Sequence, residues 1–110
     1  MVKKPDKKVI DAIRKFKDGE QRKYGIEEIV LFGSQTEGTA SQDSDVDLIV
    51  VVKNEIKDRA LLMTNLVREW HSKHNIDLPV DFLPYSKKEF TEMTRGVNIV
   101  SQALKDGTII

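Results

Sequence analysis

The chain reads as an α+β protein, a two-layer α/β arrangement in which helices pack on one small mixed β-sheet. Three observations predict it. Short apolar runs rich in β-branched residues alternate with stretches whose apolar residues recur every three or four positions. A length of 110 residues with 39% apolar content supplies one modest core rather than two. The chain has no cysteine, so disulfides cannot substitute for that core, and thiolate metal sites and thiol nucleophiles are excluded. The expected order is α, β, β, α, β, α and a short final β, in a single domain over residues 1–110.

Residues 1–8 are a polar lead-in, expected to be flexible. Its lysines, Lys3, Lys4, Lys7 and Lys8, are diluted by Asp6 and suit solubility; no apolar stretch follows to make a signal peptide. Val9, Ile10, Ile13 and Phe16 predict a helix over about 6–23. Gly19 falls inside it, costs about 1 kcal/mol relative to Ala, and is where fraying or a break is expected. Gly25 sits where a helix-terminating glycine belongs, with Tyr24 covering the end. Ile29–Phe32 is a short buried strand closed by Gly33, and residues 33–45 form a polar loop. Val46–Val52 is a strong β segment, β-branched at five of seven positions and interrupted by Asp47.

After a turn at Asn54–Asp58, Leu62, Leu66 and Trp70, widened by Met63 and Val67, predict a helix over 57–73 with Trp70 in its core stripe. His71 and His74 lie one turn apart in the polar tail of this helix and are expected on the surface. Leu78–Leu83 is the third strand; Pro79 marks a strand start or an edge, and Pro84 ends the run. Ser86 and Glu89 have capping-box spacing. They open a helix over 87–105 through Phe90, Met93, Val97, Val100 and Leu104. Gly107 stops it, and Thr108–Ile110 forms the last short strand. The apolar faces of the second and third helices exceed what so small a sheet covers, which suggests a homodimer or a helical partner.

Charge narrows the functional classes. Lys plus Arg and Asp plus Glu are each 18, for zero net charge. A high-affinity nucleic-acid sheath needs a basic surplus, so nucleic acid is not expected as a stable partner. A single nucleotide is not excluded, because metal ions can neutralise a triphosphate. The longest apolar runs fall far short of a membrane span, and a cytoplasmic location is expected.

Three carboxylates sit where strands are otherwise apolar. Asp45 and Asp47 project from one face, roughly 6–7 Å apart by strand rise. Carboxylates that close repel and favour protonation unless a cation offsets them. Asp81, between Val80 and Phe82, completes a cluster if its strand lies beside the second one. An all-oxygen set suits Mg²⁺ or Mn²⁺, and a pair of such ions is a known device for displacement at phosphorus. Taken singly, Asp45 capping a turn and Asp47 facing solvent is an equally good reading. Gly33-Ser34, directly after a strand, can present backbone donors and a hydroxyl to a phosphate, although alone it is an ordinary turn. The P-loop pattern Gly-x-x-x-x-Gly-Lys-Ser/Thr does not occur. Phe82 and Tyr85 are candidates to flank a base, with core packing the better reading for Phe82.

Together, Leu31-Phe32-Gly33-Ser34, Gly38-Thr39-Ala40, Ser44-Asp45-Val46-Asp47-Leu48-Ile49-Val50 and Val80-Asp81-Phe82 resemble the minimal nucleotidyltransferases of the DNA polymerase beta-like superfamily. Their signature is Gly-Ser, a short spacer, Asp-x-Asp, and a third Asp on a later strand. The resemblance extends over about residues 9–110. It implies that Gly33 and Ser34 contact the triphosphate of ATP or another nucleoside triphosphate. It implies that Asp45 and Asp47 bind two Mg²⁺ ions, and that Asp81 stands near an acceptor hydroxyl. Asp77 lies close by in sequence, but the apolar neighbours of Asp81 place the latter in the strand. The implied reaction moves a nucleoside monophosphate, AMP from ATP, to that hydroxyl and releases pyrophosphate. One departure is clear: where many relatives carry a basic residue before the second glycine, this chain has Glu37. Short relatives often act as antitoxins of a HEPN-type helical toxin, some by modifying it. The competing expectation is a non-catalytic antitoxin-like module that neutralises a helical partner by contact.

Overall fold

In the computed structural model, the residues described are 7–32, 45–96 and 107–110. The first helix, α1 (Lys7–Tyr24), buries Val9, Ile13, Phe16 and Glu20, one side chain per turn. It runs unbroken through Gly19 and stops at Gly25, whose φ of 65° is the left-handed conformation a glycine adopts without steric penalty.

Strand β1 (Ile26–Phe32) pairs antiparallel with β2 (Val46–Val52), and β2 pairs parallel with β3 (Val80–Ser86). The two-residue β4 (Thr108–Ile109) adds antiparallel to the other side of β1, giving the order β3-β2-β1-β4. The parallel β2–β3 connection requires a crossover. It is made by α2 (Arg59–Arg68), capped by Asp58, whose carboxylate accepts from the Leu61 N–H at 3.0 Å. α2 passes directly into a π-helical turn, Glu69–Lys73. Finally α3 (Lys87–Met93) opens with the expected capping box, Ser86 and Glu89 each bonding the other's backbone N–H.

Alternation along the strands divides the core. One sheet face carries Ile29, Leu31, Val46, Leu48, Val50 and Phe82 against Ile13 and Phe16 of α1, Leu66 of α2 and Trp70. Phe16, Trp70 and Phe82 meet with ring centroids 5.2–5.9 Å apart, a range in which aromatic contacts add to area burial. The expected layering of helices on a mixed sheet is complete on this face. On the second face Phe90 of α3 covers Val30, Ile49 and Val51.

Several local expectations change. β1 begins at Ile26, three residues ahead of the expected run. β3 begins at Val80 and runs through Pro84 to Ser86. Proline is tolerated because β3 is an edge strand: the Pro84 carbonyl accepts from Arg59 Nε at 3.0 Å rather than from β2, so the missing N–H also faces away from the sheet. α3 closes at Met93 with i→i−3 bonds from Arg95 and Gly96, while Val97, Val100 and Leu104 lie outside the described residues. His71 is exposed, as expected, but His74 is buried. Gly19 breaks nothing; instead it makes room, since a Cβ there would collide with Cε1 of His74.

Candidate functional site

The strand register brings the acidic residues to one end of the sheet. Val46 pairs with Val80 and Asp47 with Asp81, directly opposite in the parallel ladder. The Val46 N–H also donates to the Pro79 carbonyl at 2.8 Å, which fixes how β3 starts against β2. Asp47 shares its face with Ile49 and Val51, and Asp81 shares its face with Leu83 and Tyr85, so both carboxylates belong to the second face. Asp45 immediately precedes β2 and is exposed; Asp47 is half-buried and Asp81 exposed. On the far side of β2, Phe32 is the register partner of Asp47. The chain following β1 therefore leaves the sheet at the same end. Gly33, Ser34 and Glu37 follow it and lie outside the described residues.

Burial raises the Asp47 carboxyl above the usual carboxylate range, and the negative charges of Asp81 and Asp45 push it the same way. No described cation is paired with it. This combination, hard oxygen donors repelling one another, fits a divalent cation in donor type and charge. Among the described residues, however, no three or more His, Asp or Glu side chains stand arranged to hold a metal ion. Asp77 is exposed, ahead of the strand. Phe82 is in the core, 1% exposed. Tyr85 lies four residues beyond Asp81, roughly 13 Å along the strand, with the Arg59 guanidinium 5.8 Å from its ring centroid; it does not adjoin the carboxylates.

A second ionic group escaped the sequence reading. Glu20 of α1 is fully buried, and its Oε2 receives His74 Nε2 at 2.7 Å and Lys73 Nζ at 2.9 Å. The available signal was positional: Glu20 continues the 9, 13, 16 stripe of α1, where an apolar residue is expected.

With this geometry, comparison with known proteins is specific. Residues 13–110 match the nucleotidyltransferase domain family. The chain belongs to that family and thus to the DNA polymerase beta-like nucleotidyltransferase superfamily. Over 63 residues it is 38% identical to MJ1305 of Methanocaldococcus jannaschii, provisionally named a protein adenylyltransferase; the match covers 53% of this chain and 43% of that relative. The match thus spans less than half the length of the curated relative. The fold is similar to that of a provisionally named nucleotidyltransferase from Sulfolobus solfataricus, with a TM-score of 0.60 and 18% identity over 93% of this chain and 78% of the other. It is also similar to a chain of a toxin-antitoxin structure containing AMP-PNP, with a TM-score of 0.56 and 22% identity over 90% of this chain and 69% of the other. No described helix is long and apolar enough to cross a membrane.

Proposed function

We propose that the protein is a Mg²⁺-dependent nucleotidyltransferase that moves AMP from ATP, or the corresponding group from another nucleoside triphosphate, to an acceptor hydroxyl. The observation that carries the reading is the register pairing of Asp47 with Asp81 at the sheet end where β1 finishes, with Asp45 two residues ahead, in a chain of this family. Asp45 and Asp47 would hold two Mg²⁺ ions (Mn²⁺ is an equivalent probe), with Asp81 reaching the one beside the acceptor. Bound there, the ions supply charge neutralisation at the transferring phosphoryl group. Gly33 and Ser34 would contact the triphosphate, as the family resemblance implies. Asp81 would accept the proton of the acceptor hydroxyl, whose oxygen bonds to the α-phosphorus as the bond from that phosphorus to the oxygen bridging to the β-phosphate breaks, the electron pair leaving on pyrophosphate. The 1–110 span acts as one minimal domain.

The acceptor class that suits this reading is a protein hydroxyl on a helical, HEPN-type toxin, with this chain as the antitoxin. The likeness to a toxin-antitoxin structure and to a relative named for protein adenylylation supports it. A second reading, neutralisation by contact alone, is favoured by Glu37 and by the lack of a ready three-ligand metal set among the described residues. Calorimetric titration with a non-hydrolysable ATP analogue separates them. Metal-dependent binding that disappears in a folded Asp45→Asn/Asp47→Asn variant supports transfer. A folded wild type that binds neither metal nor nucleotide, alone or with its partner, points to the contact module.

A further inference from the structure

Asp81 is only the second residue of β3, so its position depends on how the chain arrives there. Residues 74–79 make that approach. Side chains and backbone of the π-helical turn hold it: Trp70 Nε1 donates to the Leu78 carbonyl at 2.9 Å, His71 Nδ1 lies 2.8 Å from the Ile76 carbonyl, and the Ile76 N–H donates to the Trp70 carbonyl at 3.1 Å. Asn75 has φ of 52°, a left-handed kink in the middle of the turn. The start of the segment is tied to α1 instead. Lys15 Nζ donates to the His74 carbonyl at 3.2 Å, and His74 Nε2 reaches the buried Glu20 Oε2 at 2.7 Å. Gly19 lets the His74 ring lie against the α1 backbone, with Phe16 edge-on at 5.7 Å.

A buried polar pair is a weak source of stability, since apolar groups of similar volume often serve as well. What the pair adds is direction. An apolar contact between α1 and residue 74 would tolerate sliding; a hydrogen bond to one carboxylate oxygen, with the glycine groove behind it, does not. We propose that the Glu20–His74 pair is a positioning device for Asp81, fixing the turn from which β3 departs and so setting where that carboxylate stands against Asp47. Asp81's chemical role rests on the nucleotidyl-transfer reading; its placement does not.

The test compares Glu20→Leu/His74→Leu, which removes the His74 and Lys73 contacts to Glu20 but keeps the site filled, with Glu20→Gln, which keeps an acceptor for both. Amide hydrogen exchange is followed residue by residue in the metal-free protein. Expected is an acceleration on the order of 10-fold at the amides of residues 78 and 80–82 (Pro79 has none) in the double variant, with Val30 and Ile49 unchanged and Glu20→Gln close to wild type. A uniform acceleration, none at 78–82, or an equal one in Glu20→Gln overturns the placement. If the double variant does not fold, Gly19→Ala, whose Cβ would meet the His74 ring, must give the same local signature; its absence overturns the idea equally. A kinetic arm reads the chemistry: kcat for nucleotide transfer falls on the order of 10-fold in the double variant, with KM for nucleotide unchanged. If 78–82 loosens while the wild type binds neither Mn²⁺ nor nucleotide, the transfer reading fails and the placement stands. If the wild type binds both and 78–82 is unmoved, the placement fails and the reading stands.

Discussion

Glu20 and Asp47 are both carboxylates set among apolar neighbours, and the fold treats them in opposite ways. Glu20 is fully buried, yet Lys73 and His74 both reach its Oε2. Asp47 is only half-buried, and among the described residues the charges that raise its carboxyl are Asp81 and Asp45, both negative. Among the described residues, one carboxylate has a counter-charge, Lys73, and a histidine partner on the same oxygen; the other meets repulsion. An evolved core tolerates a carboxyl group when hydrogen-bond partners are close. Uncompensated repulsion between adjacent strands suits a place where a cation from outside completes the balance. A third carboxylate, Glu89, shows the ordinary surface solution: the Ser86 backbone N–H and the Arg59 guanidinium at 2.6 Å hold it below the usual carboxylate range.

Substitutions can break this contrast at either end. The largest expected effect is on the proposed reaction. Asp47→Asn should lower nucleotide transfer by roughly 10²–10³-fold, about 3–4 kcal/mol of transition-state stabilisation, with circular dichroism unchanged. Transfer at wild-type rate would remove Asp47 from the site. Next comes His74→Ala. It should destabilise the fold by about 3 kcal/mol in urea denaturation, because it takes one of two hydrogen-bond partners from a buried carboxylate oxygen and opens a cavity. A loss well under 1 kcal/mol would mean that Lys73 alone suffices for the Glu20 Oε2 oxygen, and the contrast with Asp47 would weaken.

Gly19→Ala sharpens the point, since helix propensity and packing pull apart. Propensity favours Ala by about 1 kcal/mol, but the added Cβ meets a His74 ring that its bond to Glu20 prevents from swinging away. A net loss of about 1–2 kcal/mol is expected; a gain would show that the ring is free to move. Ser86→Ala removes the side-chain acceptor for the Glu89 N–H and should cost about 1 kcal/mol by the same denaturation measurement.

The smallest effect is the most diagnostic in sign. The folded protein holds the Asp47 proton more tightly than the unfolded chain does, because the carboxyl is raised by burial and by Asp81 and Asp45. Protonated Asp47 therefore adds stability at acid pH, and that contribution is lost as pH rises through the raised value. At neutral pH the ionised group is a slight liability, so Asp47→Asn should raise the melting temperature by an amount worth a few tenths of a kcal/mol. The gain should shrink toward zero below the ordinary carboxylate range, and Mg²⁺ should abolish it by stabilising the wild type selectively. Equal stability at every pH would mean that the repulsion is relieved by solvent.

Much of the fold was legible because the signals are local. The period of α1, the β-branched run of β2, Gly25 past a helix end and the Ser86–Glu89 box each depend on residues within a few positions. Of the candidate site, the residue types and spacing of Asp45, Asp47 and Asp81 were readable, as was their resemblance to a known signature. The sequence alone could not pair Asp47 with Asp81, since that needs β3 beside β2 in one particular register. Nor could it extend β3 through Pro84, whose tolerance depends on an edge position, or bury His74 beside Glu20, 54 residues away. Chain-local chemistry is written in consecutive residues and their period. Which strand is an edge, which carboxylate finds a cation and which meets another carboxylate are decided by the closing of the core around Phe16, Trp70 and Phe82, because only that packing brings distant side chains into the range where charge and hydrogen bonding act.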